Sequence, residues 1–130
     1  MKRTMVLLSL LAAVAFVSRT PVLAHHSFAA TYDETKNMKI EGEITQFQFR
    51  NPHSFVQVDA KNDKGVVERW SIEWAGGQAL NNTGVNRDTL HPGDHVIVTG
   101  KPSRRIEDFR LRLTSMERPK DGWKWSGTFE

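Results

Sequence analysis

Five histidines carry most of the chemistry that this sequence offers: His25, His26, His53, His91 and His95. Neutral imidazole is the commonest metal ligand and suits copper, zinc and nickel. The chain has no cysteine, which excludes thiolate metal sites and thiol redox chemistry. The most informative placement is the junction Val22-Leu23-Ala24 before His25-His26-Ser27-Phe28. A cut after Ala24 makes His25 the first residue. Its free amine and its Nδ1 can then close a chelate ring on Cu(II), and a nitrogen of His53 would complete a T-shaped, three-nitrogen site of the histidine-brace kind. A competing mode uses the amine, the next peptide nitrogen and His26, and needs no fold. His53 follows Pro52 in a turn, where its ring could equally hydrogen-bond the backbone. His91 and His95 flank a second turn and read as ordinary surface residues.

The cut itself is an expectation from three-part patterning. Lys2 and Arg3 precede an apolar run from Met5 to Val17 that is broken only by Ser9. A more polar stretch then ends in the small-residue positions Val22 and Ala24, so residues 1–24 read as a secretory signal. The apolar run is too short to cross a bilayer core of roughly 30 Å as a helix. No cysteine follows it, so no lipid anchor and no membrane anchor are expected. The whole chain has 18 Lys+Arg and 15 Asp+Glu. Loss of Lys2, Arg3 and Arg19 with the signal leaves 15 of each sign and no net charge. The sequence argument for nucleic-acid binding goes with them.

The residues that would position these histidines form strands. Residues 25–37 show no period and read as an extended arm. Met38 to Phe49 alternates, with Met38, Ile40 and Ile44 on one face; the apolar phase then shifts to Phe47 and Phe49, which predicts a bulge near Thr45 or Gln46. Asn51-Pro52-His53 is a turn. Phe55 to Ala60 is a second strand, Asn62-Asp63-Lys64-Gly65 a hairpin turn, and Val66 to Trp74 a third strand with Val66, Trp70, Ile72 and Trp74 aligned. Gln78 to Leu90 reads as a short helix or two turns interrupted at Gly84. After the turn Leu90-His91-Pro92-Gly93-Asp94 come a strand at His95 to Gly100 and another at Phe109 to Met116, with Arg110 and Arg112 facing outward. Trp123 and Trp125 in the tail could add a strand or cap the fold. This order predicts an all-β, five-stranded OB-like β-barrel with a small inserted helix. The barrel is expected over 38–118, with a C-terminal tail over 119–130.

Several of these pieces together resemble a known family. The run His25-His26-Ser27-Phe28-Ala29-Ala30-Thr31-Tyr32-Asp33, then Gly42-Glu43-Ile44-Thr45, Asn51-Pro52-His53, Asn86 to Asp94 and Val98-Thr99-Gly100 resemble DUF6152, a family of small secreted bacterial proteins of unknown function. The resemblance covers essentially all of residues 25–130. This chain departs from the family at His91 and His95, where members often carry a basic and an acidic residue. The resemblance implies export to the periplasm and brings no established activity.

Other constellations are weaker. Glu41, Glu43, Asp59, Glu68 and Glu73 alternate along strands and read as solvated faces of a barrel. Trp70 and Trp74 share a face with Ile72 and read as core. Phe55, Trp123 and Trp125 remain candidates for a ligand or partner face. No nucleophile elbow, phosphate loop or zinc-protease helix is present. The sequence therefore leads to a periplasmic, non-enzymatic binding protein, with copper as the candidate metal and His25, His26 and His53 as candidate ligands. The alternative is an accessory module that binds a periplasmic protein or a small ligand. A brace-type copper oxidase or oxygenase is the third reading.

Overall fold

Alternation in β1 (Met38–Gln48) sets the architecture. Ile44 is buried, while Lys39, Glu41 and Glu43 on the opposite parity are exposed. The pairing register with the next strand slips between Ile44 and Gln46, so the bulge expected near Thr45 is present. The bend lets one long strand pair on both edges. The computed structural model describes residues 27–130. Within them follow β2 (His53–Lys61), β3 (Val67–Ala75), β4 (His95–Pro102), β5 (Arg110–Arg118) and β6 (Trp123–Ser126). A helical turn, α1 (Phe28–Thr31), precedes β1, and a short helix, α2 (Gly77–Asn82), separates β3 from β4.

β1 lies antiparallel between β2 and β4. β2 pairs with β3 and β4 with β5, both antiparallel. A parallel pairing of β3 with β5, Ser71 to Glu73 against Arg110 to Arg112, closes a five-stranded barrel. Closure removes most open edges, the usual aggregation hazard of sheets. The remaining edge of β5 pairs with β6 at Ser115 to Arg118, so the tail does add a strand. Val56, Val58, Ile72, Trp74, Val96, Val98, Leu111 and Leu113 fill the interior at 1% exposure or less. Leu80 of α2 and Val85 and Leu90 beyond it join this core. Among the described residues no helix is long and apolar enough to cross a membrane.

Two local expectations need correction. Val66 does not align with Trp70 and Trp74 inside; it is 56% exposed and precedes β3, in the hairpin closed by Asn62 and Gly65. The arm is not simply extended, because Phe28 to Thr31 make a helical turn. It then docks: Tyr32 bridges Ser103, and the Asp33 N–H donates to Pro102 O at 2.8 Å. Arg110 and Arg112 do point away from the barrel interior, but the arm crosses over them.

Candidate functional site

β2 begins at His53, two residues before Phe55 on the same face, and Phe55 pairs with Glu73 of β3. Glu73 in turn pairs with Arg112 of β5. Inward positions on these strands hold Val56, Ile72, Trp74 and Leu111, so strand parity throws His53, Glu73, Arg110 and Arg112 onto the outer face. An outer face would ordinarily be wet. Here the arm covers it.

Glu73 is the centre of the cluster. It is only 8% exposed, which corrects its reading as part of a solvated face. His53 Nδ1 hydrogen-bonds Glu73 Oε1 at 2.7 Å. Glu73 Oε2 accepts from the Tyr32 hydroxyl and from Arg110 Nη2 at 3.3 Å. A buried carboxylate costs several kcal/mol unless its oxygens are satisfied and its charge is matched. Tyr32, Arg110 and His53 meet that requirement from three separate elements. Tyr32 is fully buried. Burial, followed by the hydrogen bond and charge of Glu73, pushes its phenol well above the ordinary tyrosine range, so it stays a neutral donor.

Two phenylalanines bracket the histidine. The Phe28 ring stacks on His53 at 5.4 Å between centroids, and Phe129 meets it edge-on at 5.8 Å. Arg112 holds both aromatics. Its guanidinium carbon sits 3.9 Å from the Phe28 centroid and 5.1 Å from that of Phe129. It also pairs with Glu34 at 3.1 Å and donates to the Phe129 carbonyl. The His53 side chain keeps 24% exposure. Among the described residues, its Nε2 makes no hydrogen bond. The ring therefore does not bond the backbone, as a turn histidine could have done.

The remaining sequence candidates are scattered. His25 and His26 lie outside the described residues. His95 pairs with Glu41 at 2.8 Å on an exposed face, and His91 is exposed beside its turn. Phe55 carries Arg50 over its ring at 5.0 Å. Trp125 packs edge-on against Trp74 at 5.0 Å, and Trp123 against Trp74 at 6.5 Å with Arg118 over it. Among the described residues, no three His, Asp or Glu side chains converge as a metal site.

Comparison with known proteins adds one assignment. A family model described as a family of unknown function, DUF6152, matches residues 12–110. The chain belongs to DUF6152. No match was found among curated proteins. The matched span of this DUF6152 chain includes Phe28, Tyr32, His53, Glu73 and Arg110; Arg112 and Phe129 lie beyond it. The sequence reading missed Glu73, Tyr32, Arg110, Arg112 and Phe28. One signal was present: Phe28 and Tyr32 stand four apart, a spacing that puts two rings on one side of a helical turn. Their centroids are 6.2 Å apart.

Proposed function

We propose that this DUF6152 chain is an exported, periplasmic binding protein that captures a transition metal ion, Cu(II) foremost. The ligands are the amine and ring of His25, freed by cleavage after Ala24, and the Nε2 of His53. The supporting observation is the stack of Phe28 on His53 at 5.4 Å. Phe28 is three positions along the chain from His25, and an extended chain of that length spans only about 10 Å. Phe28 itself is docked on the His53 ring, so this chain length permits His25 and His53 to meet. A ring whose Nδ1 is engaged by a carboxylate, with Nε2 on its far side, is the usual arrangement of a metal-ligating histidine. Affinity falls as the amine and the imidazoles protonate in acid.

The test is Cu(II) binding by the protein with its native mature N-terminus, read by stoichiometry and electron paramagnetic resonance. One tight equivalent, lost when a residue is added before His25 and altered in His53→Ala, supports the reading. Binding no different from that of a short His-His-Ser peptide sinks it. N-terminal sequencing of the exported protein checks the cleavage site directly.

A second reading rests on a groove that shares Phe129 with the His53 cluster. This open groove of about 500 Å³ lies beside α2, its lining including Asn51, Gln78, Asn82, Trp125 and Phe129. Side-chain amides together with aromatic rings suit a neutral polar ligand or a partner loop. That role predicts binding that ignores His53→Ala and responds to Trp125→Ala.

A further inference from the structure

We infer that Glu73, itself held by Tyr32 and Arg110, fixes the tautomer of His53 and so decides which ring nitrogen faces outward. This deepens the metal reading above and rests on it for its purpose, but the geometry carries it without a metal. As a carboxylate, Glu73 can only accept hydrogen bonds. Its Oε2 takes the Tyr32 hydroxyl and Arg110 Nη2, which leaves Oε1 for the ring. At 2.7 Å from Oε1, Nδ1 must carry the hydrogen. In the neutral ring Nε2 then holds the lone pair, and it lies on the side away from Glu73. Phe28 stacked on one face and Phe129 edge-on leave the ring little freedom to flip.

The three anchors come from different parts of the fold: Tyr32 from the arm, Arg110 from β5 and Glu73 from β3. A loose carboxylate on a wet strand could follow the ring through either tautomer. One clamped by a buried phenol and a guanidinium cannot. Glu73 is accordingly a positioning residue, acting through His53 rather than on a ligand.

The substitution Glu73→Gln gives a directional test. Arg110 can only donate, so it selects the amide oxygen of the new side chain, and the Tyr32 hydroxyl donates to the same atom. Its NH₂ then faces Nδ1, which must accept, and the hydrogen moves to Nε2. No ring nitrogen remains for a metal. The experiment is ¹⁵N spectroscopy of the His53 ring in the metal-free, full-length mature protein, in mildly alkaline solution. The expected result is an Nδ1–H tautomer in the native protein and an Nε2–H tautomer in E73Q. An Nε2–H tautomer in the native protein overturns the inference, and this arm stands even if E73Q does not fold. A folded E73Q that keeps Nδ1–H overturns it as well.

A parallel Cu(II) titration separates the two readings. E73Q should weaken binding by about tenfold to a hundredfold, the usual cost of losing such a partner, with no further loss in the E73Q/H53A double variant. Tautomers that behave as expected beside a copper spectrum indifferent to His53→Ala would remove the metal reading and leave the Glu73 control of the ring intact.

Discussion

Arg112 shows how much one planar group can hold. It stacks on Phe28, reaches Phe129, pairs with Glu34 and donates to the Phe129 carbonyl. A lysine would keep the charge but lose the flat face and the forked donors. Arg112→Lys is therefore expected to cost about 1–2 kcal/mol in urea unfolding, on the scale of a desolvated cation–π contact. A second residue-scale prediction concerns Gly42 in β1. A Cβ there would collide with the Asp59 carbonyl and with Ala60 Cα of the neighbouring strand. Backbone cannot swing aside as a side chain can, so Gly42→Ala should destabilise by about 1–3 kcal/mol, measured as a lowered urea midpoint at unchanged slope. At this scale Glu73 was illegible in the sequence. It sits between Ile72 and Trp74 in an ordinary alternating strand, and alternation says which side of a sheet a residue faces, not what later covers that side.

Among the elements, the arm is the one whose role changes the site. It carries a single helical turn and the buried Tyr32, and it is pinned to the end of β4 by the Asp33 N–H and by Arg104. A helical turn of this length has no stability of its own and persists through its tertiary contacts. Phe28→Ala removes the ring that touches His53, Tyr32, Phe129 and Arg112. The expected outcome is local. Hydrogen exchange at Tyr32 and Asp33 should accelerate, while amides of β1 and β2 keep their protection. Equal acceleration throughout would mean that the arm is part of the barrel's own cooperative unit. The strands were largely readable, because period-2 patterning needs only local sequence. The turn in the arm was not, because Phe28 and Tyr32 gain their meaning from His53 and Glu73, 25 and 41 residues away along the chain.

Over the whole molecule, the barrel is closed by pairs distant in sequence, and one ion pair marks how the turn before β4 is tied to it. Asp94, in the turn before β4, pairs with Arg118 of β5 at 2.8 Å. Burial pushes the Asp94 carboxyl up, but the His91 N–H and the Arg118 guanidinium outweigh it and hold the group below the usual carboxylate range. A carboxyl lowered by folding contributes stability above its unfolded pKa of about 3.9, and that contribution is lost as pH falls through the folded value. Asp94→Asn should therefore melt below the native protein at neutral pH, with the gap narrowing below about pH 4. A constant gap across that range would refute the linkage. Asp33 is held at about 2 by the hydrogen bonds of Thr35 and Lys36, but its ion pair is with a largely exposed Lys36 and adds little. By itself the sequence determined the five strands, the β1 bulge and the barrel order, since apolar alternation and turn residues are local and the closed barrel is the compact way to bury one face of each strand. It also singled out His53. Only the tertiary structure decided that His53 faces Glu73, Tyr32 and Phe28. Those contacts join the arm, β2 and β3 across the outer surface, where no hydrophobic period operates and only three-dimensional proximity selects partners.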